Sequence, residues 1–285
     1  GSPPTSTRSA PSRSASPVGA RPGAPDRPAT VSYAMTGIDE VRSFIDEAER
    51  VVVLTGAGIS TDSGIPDFRG PDGIWTKNPE AEKTATLSAY LSDPEVRRRA
   101  WRSRLESPAW RAEPNAGHLA IVTLERRGKL HTLVTQNVDG LHHKAGSDPA
   151  RIVEIHGTMR EVVCLSCGDR RPMEHALERL RAGEDDPACL LCGGILKSAT
   201  ISFGQNLVPG DLVRAERAAA ACDLFLAVGT SLTVYPVAGL VPLAKRSGAR
   251  VVIVNAEPTP YDEIADVVLR GRISEVLPAV VAPAA

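Results

Sequence analysis

Four of the five cysteines stand in two C-x-x-C pairs, Cys164-Leu165-Ser166-Cys167 and Cys189-Leu190-Leu191-Cys192, with 21 residues between the pairs. Two such hairpins supply four thiolates, the donor set of tetrahedral zinc. A closed four-cysteine site keeps no open position for water or substrate, so the ion it predicts is structural and takes no part in chemistry. Redox dithiols are the competing reading of the same spacing. Cys222, standing alone, reads as a core residue.

Proton transfer and ligand binding need other residues, and four short clusters offer them. His156-Gly157-Thr158 ends an apolar run; its imidazole titrates near neutrality and can take a proton from a sugar hydroxyl, a satisfied core histidine being the ordinary alternative. Gln136-Asn137-Val138-Asp139-Gly140-Leu141-His142 follows another apolar run, where α/β proteins place ligand groups, although Asn137 or Asp139 could equally cap the next helix. Gly64-Ile65-Pro66-Asp67-Phe68-Arg69 offers a carboxylate, an aromatic face and a guanidinium, or is simply a surface loop with a buried Phe anchor. In Gly56-Ala57-Gly58-Ile59-Ser60 the two glycines let backbone approach a ligand and expose amides toward a pyrophosphate. Thr61 replaces the third glycine of G-x-G-x-x-G, so the dinucleotide fingerprint is broken and a plain turn competes. The remaining histidines, His118, His131, His142, His143 and His175, lie at helix or strand starts or within the cysteine block and are weaker candidates.

The elements that must hold these clusters are legible as alternating patterns. Continuous apolar runs at Val51 to Leu54, Leu133-Val134, Ile152 to Ile155, Leu224 to Val228 and Val251 to Val254 are strands apolar on both faces, as in a parallel sheet. Helical spacing at Ile38, Val41, Phe44, Ile45 and Ala48 (with Thr36 as a cap), at Gly117 to Arg127 and at Asp211 to Ala221 completes the alternation. The fold class is therefore α/β: a Rossmann-like, doubly wound parallel sheet domain with a small inserted zinc-binding domain. The insert spans 162–195 and contains a short helix at Met173 to Arg181. The large domain spans 36–161 and 196–281.

Composition narrows the functional class. With 285 residues, 42% of them hydrophobic, 33 basic and 34 acidic side chains and a net charge of −1, the chain can bury a core. It has no excess of positive charge for nucleic acid or membranes. The most apolar stretch, Ala218 to Ala244, is broken by Asp223, Gly229, Pro236 and Pro242 and reads as buried strand and loop, not a membrane helix. Residues 1–30 include 21 that are Ser, Pro, Ala or Gly, so 1–35 is expected to be a disordered tail, and 282–285 a short one. Gly1-Ser2 without an initiator Met reads as a tag-cleavage remnant, and the Arg- and Ser-rich tail also mimics an organelle transit peptide. Reduced cysteines and no secretory signal point to the cytoplasm.

Together the clusters resemble the sirtuins, protein deacylases that consume NAD, of bacterial type. The resemblance runs from about residue 36 to 281 through Gly56-Ala57-Gly58-Ile59-Ser60, Gly64 to Arg69, Gln136 to Asp139, His156-Gly157, the four cysteines, Phe203-Gly204, Gly229-Thr230-Ser231 and Val254-Asn255. It implies a cleft between the two domains that NAD and an acyl-lysine peptide enter from opposite sides. By the same resemblance Gly56, Ala57, Gly58 and Ser60 line the phosphates, and Asp67, Phe68 and Arg69 form the mobile loop beside nicotinamide. Gln136, Asn137 and Asp139 hold the nicotinamide ribose and carboxamide. Gly229, Thr230, Ser231, Asn255, Ala256, Glu257 and Ile273 form the adenosine end. His156, with Asn137 as the second catalytic residue, resembles the general base that activates the ribose hydroxyl after the acyl oxygen has displaced nicotinamide. Ser202, Phe203 and Gly204, with Leu232 to Val234 opposite, would pair the peptide as a strand.

The implied activity is removal of acetyl from lysine onto ADP-ribose, with NAD as co-substrate, one structural zinc, acetylated proteins as partners, a monomeric chain, and neither membrane nor nucleic acid bound. Two departures bear on the acyl chain and subgroup. Lys197 is followed by Ser198 where many relatives have proline, and Phe203-Gly204 by Gln205 where they have Glu. Relatives that remove succinyl or malonyl groups hold the carboxylate with Tyr and an Arg three residues on; Trp101 and Arg104 align there, so desuccinylation is expected as a side activity at most. The alternatives are deacylation of longer chains, ADP-ribosyl transfer to protein, and a zinc-ribbon binding module, which would leave Gln136 to Asp139 and His156 without a role.

Overall fold

The computed structural model describes Gly1, residues 30–71 and residues 73–283, with the backbone alone for 30–36. Most of the expected N-terminal tail, residues 2–29, lies outside the described residues, as do 284–285 of the C-terminal one. The first helix covers Thr30–Glu47 and so begins before Thr36, the expected cap. Its Val41 and Ile45, with Ala48 just beyond its end, recur at helical spacing and are buried on one face of the main sheet.

Nine strands form among the described residues: β1 (Val51–Thr55), β2 (Leu130–Thr135), β3 (Ile152–Glu154), β4 (Gly157–Cys164), β5 (Arg170–Pro172), β6 (Leu196–Thr200), β7 (Leu224–Val228), β8 (Arg250–Val254) and β9 (Val267–Leu269). Six of them build a parallel sheet in the order β3-β2-β1-β7-β8-β9. Val51 and Val53 face one apolar layer while Val52 and Leu54 face the other, which is why the run has no polar alternation. The chain order reverses between β1 and β7. A crevice opens at the carboxyl ends of those strands, where open α/β sheets bind ligands.

β4, β5 and β6 form a separate antiparallel sheet with β4 at its centre. This sheet takes in Gly157–Cys164 and Leu196–Thr200, so it reaches beyond the insert read from sequence at both ends. Its apolar core holds Val162, Met173, Ala176, Leu177 and Leu196, together with Trp101 from the helix Pro94–Leu105. A zinc module this small cannot enclose a core of its own, and the indole from a distant segment supplies the missing apolar volume.

Candidate active site

The crevice is lined by the turns that follow β1 and β7. The Gly56 and Gly58 amides donate to the Val228 and Gly229 carbonyls at 3.0 and 2.9 Å. A Cβ on Gly56 would sit 2.7 Å from the Gly229 carbonyl oxygen, and one on Gly58 2.9 Å from the Gly229 Cα. The glycines are therefore required by two backbones crossing, and these two amides are spent inside the protein, which corrects the expectation that they point at a ligand. The turn continues as a short 3-10 helix, Ala57–Ser63. A cavity of about 1550 Å³ extends from here toward β6, lined among others by Gly56, Ala57, Gly58, Asp67, Phe68, Arg69, His156 and Lys197. That volume exceeds the few hundred to 1,000 Å³ of a drug-sized site and suits a dinucleotide with a second substrate.

The clusters after β1, β2 and β3 meet on one wall. Ser60 is fully buried; its hydroxyl donates to Asp139 Oδ2 at 2.8 Å, and its oxygen accepts from Asn137 Nδ2 at 3.3 Å. Asn137 Nδ2 also reaches the Gly56 carbonyl at 3.0 Å. Asp139 Oδ1 accepts from the Leu141 amide at 2.8 Å, a local turn bond made from the residue before the Gly140 cap, so Asp139 is not itself the helix cap, and its other oxygen serves the wall. Gln136 Nε2 donates to Thr230 Oγ1 at 2.9 Å and thereby ties the β2 turn to the β7 turn. His156 is half-buried, with Nδ1 3.2 Å from the Gln136 carbonyl oxygen. Because a carbonyl only accepts, the proton is on Nδ1 and Nε2 is a free base. Burial holds its pKa below the usual histidine value, against the raising effect of that hydrogen bond.

The loop from Gly64 is not anchored by a buried phenyl ring: Phe68 is 40% exposed. It is ordered by Asp67 Oδ1 accepting from the Gly70 amide and by aromatic contacts, Phe68 to Trp75 at 4.6 Å and Trp75 to Phe203 at 5.5 Å. The Arg69 guanidinium lies 4.5 Å from the Trp75 ring centre. The Phe203 backbone is already paired, its amide to the Ala85 carbonyl and its carbonyl to the Leu87 amide. The Ser202 amide is taken by Gln205 Oε1. Gly204 follows with positive φ. Opposite, Val234 lines the cavity, whereas the Leu232 side chain is buried in the sheet core and does not line it. Among residues 202–204, then, the strand edge is open only at Gly204.

At the inner end Trp101 and Arg104 line the cavity with Tyr90, Lys197 and Ser198. Trp101 is 2% exposed and belongs to the zinc-module core, its Nε1 without a partner among the described residues. The Arg104 guanidinium has no acidic partner among them either, and burial lowers its pKa to about 10. Lys197 donates from Nζ to the Ser198 and Thr200 carbonyls, and burial lowers it to about 8. At the other end Ser231 Oγ is 2.8 Å from Thr233 Oγ1, and Asn255 Nδ2 donates to the Glu257 carbonyl at 2.7 Å. Ala256, Glu257 and Ile273 line the cavity there, Ile273 being mostly buried against Gly229 and Gly117.

The four cysteines converge away from the cavity, at the far end of β4. Their Sγ atoms all lie within 4.8 Å of one another, with Cys164 to Cys192 at 3.5 Å and Cys167 to Cys189 at 3.7 Å. Four thiolates about 2.3 Å from a tetrahedral ion would be about 3.8 Å apart, so the cluster fits one zinc. Leu190 and Leu191 at the tip of the second knuckle are exposed.

Sequence reading missed Trp75, Tyr90, Met159 and Lys197, all of which line the cavity. Trp75 lies beyond the Gly64 to Arg69 motif and reaches the site by aromatic contact. Lys197 lacked a signal because an isolated lysine is ordinarily a solvated surface group.

Three comparisons bear on this site. The family model described as Sir2 family matches residues 56–236. A "NAD-dependent protein deacetylase 2" from Streptomyces coelicolor is 56% identical over 229 residues, covering 80% of this chain and 95% of that protein. Among solved structures, one titled "Structural Basis for the Mechanism and Regulation of Sir2 Enzymes" superposes with a TM-score of 0.79 at 41% identity, covering 86% of this chain and 96% of the other. Another, titled "Sir2-p53 peptide-NAD+", gives 0.76 at 34% identity, covering 84% and 95%.

Proposed function

The chain belongs to the Sir2 family, and from that premise we infer that it is an NAD-dependent protein lysine deacetylase, releasing nicotinamide and leaving the acetyl group on ADP-ribose. The observation that supports this most directly is His156, a histidine with an unprotonated Nε2, lining one cavity with Asn137 and Asp139 beyond the carboxyl ends of β3 and β2. When bound, NAD supplies the ribose carbon that accepts the acyl oxygen as nicotinamide departs.

Around that chemistry, Asn137 and Asp139 orient the nicotinamide end with Gln136. His156 Nε2 takes the proton of a ribose hydroxyl, and its Nδ1–H stays on the Gln136 carbonyl so that the ring cannot turn. Phe68 and Arg69, with Asp67 at the turn of their loop, cover the site and exclude water from a cation-like sugar. The turns at Gly56 to Ser60 and Gly229 to Ser231 lie along the phosphates and ribose, and Asn255, Ala256, Glu257 and Ile273 take the adenosine. The peptide lies as a strand between Gly204 and Val234, and the Phe203 ring flanks its lysine. Zinc bound by Cys164, Cys167, Cys189 and Cys192 holds the small sheet and contributes no step. Domain limits near 36–161 and 196–281, with the module between them, a monomeric chain and a cytoplasmic site of action belong to the same proposal.

One observation favours a second acyl class. Arg104, half-buried at the inner end and without an acidic partner among the described residues, can pair a carboxylate, which supports succinyl-lysine as a slower substrate. Mass spectrometry of one peptide carrying acetyl- or succinyl-lysine, with and without NAD, tests both readings. NAD-dependent loss of the acyl mass with acylated ADP-ribose is the expected result. An ADP-ribose mass added stably to protein, without acyl loss, would replace the reading by ADP-ribosyl transfer.

A further inference from the structure

Behind the wall formed by Asn137 and Asp139 lie two histidines that the reaction does not use. His118 and His142 are 0% and 2% exposed, with ring centres 5.0 Å apart. His118 is the third residue of the helix Ala116–Arg126, and its Nδ1 accepts from the Asn115 amide at 3.3 Å. A ring nitrogen that accepts carries no proton, so Nε2 bears it. That Nε2 is 3.5 Å from Ser60 Oγ. Ser60 has one proton and gives it to Asp139, so its oxygen is left to accept from His118 and from Asn137 Nδ2.

His142 builds a matching arm. Its Nε2 is 3.0 Å from Thr55 Oγ1, whose proton goes to Thr135 Oγ1 at 2.8 Å. Thr55 can therefore only accept from the ring, which fixes the proton of His142 on Nε2. Thr135 Oγ1 also receives the Asn137 amide at 3.1 Å. His142 Nδ1 is left buried with no partner among the described residues, a cost that a ring serving only as filler would not need to carry.

We propose that His118 and His142 are positioning residues: as neutral Nε2–H donors they set the direction of every hydrogen bond in the Ser60 and Thr55–Thr135 relays, and so hold Asp139 and Asn137 in their working orientations. The inference rests on the roles given above to Asn137 and Asp139. Reversing either tautomer would turn Ser60 or Thr55 into a donor toward its histidine and withdraw its proton from Asp139 or from Thr135. Burial lowers the His118 pKa to about 4 and holds that of His142 well below its ordinary value, which keeps both rings neutral at working pH.

Two measurements test this. Side-chain nitrogen NMR of the unaltered, zinc-loaded protein should show both rings as the neutral Nε2–H tautomer. An Nδ1–H tautomer or an imidazolium at either ring overturns that arm, whether or not the protein turns over NAD. The second is a double-mutant cycle with His118→Phe and Ser60→Ala, read as kcat/KM for NAD. Each single change should cost about three- to tenfold, the worth of one hydrogen bond. The double variant should fall no lower than Ser60→Ala alone, and His118→Gln, which keeps a donor, should recover most of the loss. Losses that multiply across the cycle would mean that His118 acts by packing and would overturn the proposal. Absence of NAD turnover in the unaltered protein would sink the deacetylase reading, while the NMR result would still decide the tautomers.

Discussion

His156 and Gln136 are joined by a 3.2 Å hydrogen bond from the imidazole Nδ1–H to the backbone carbonyl, and this bond makes Nε2 the free nitrogen of the ring. Removing that base should remove most of the turnover. His156→Ala is expected to lower deacetylation by about 10²- to 10⁴-fold while leaving thermal stability and zinc content near those of the unaltered protein. Chromatographic assay of an acetyl-lysine peptide checks it; unchanged turnover would remove His156 from the mechanism.

The pH dependence has a definite sign. Burial lowers the His156 pKa from the usual 6.5, so its basic form persists to lower pH than that of a free histidine. The acid limb of kcat/KM should therefore have its midpoint below 6.5. A midpoint at or above that value would point to a different essential base.

Acid stability should follow the two buried histidines. His118 has a folded-state pKa of about 4 against the ordinary 6.5, so between those values the unfolded chain binds more protons and stability falls as pH falls. The shift corresponds to on the order of 3 kcal/mol, fully present above pH 6.5 and lost as pH drops through 4. Denaturant midpoints measured across that range should decline toward acid, and less so in a folded His118→Gln variant.

Loss of one thiolate should act on the fold first. Cys164→Ser, or a strong chelator, is expected to release zinc and disorder the small sheet, with a change in fluorescence from Trp101 and Trp110, which pack against it. Metal analysis alongside the fluorescence would separate this from a redox role, in which oxidant and not chelator would change activity.

Acyl preference can be read from one arginine. Acetyl-lysine should be turned over faster than succinyl-lysine, and Arg104→Met should lower the succinyl-to-acetyl ratio about tenfold further, the worth of a charge-assisted hydrogen bond. Faster succinyl turnover by the unaltered protein would instead make the carboxylate pocket its principal specificity.

Local chemistry made much of the molecule legible in its residues. Val51 to Leu54 and Leu224 to Val228 had to be buried strands because no polar residue interrupts them, and two C-x-x-C knuckles had to meet because thiolates gather on a common ion. His156 and the Gln136 to Asp139 turn were visible because chemistry-bearing side chains follow apolar runs. What the sequence could not determine were relationships between distant segments. The pairing of Gly58 with Gly229, the placement of Trp101 in the zinc-module core and the occupation of the Phe203 backbone by Ala85 and Leu87 join residues far apart in the chain. Short or polar strands such as Arg170–Pro172 and Leu196–Thr200 carry no apolar run and form because neighbours complete their ladders. The tautomers of His118, His142 and His156 were likewise decided only in three dimensions, since a ring's proton goes where its neighbours can accept or donate. Residue type sets which chemistry is possible, and packing sets which atom performs it.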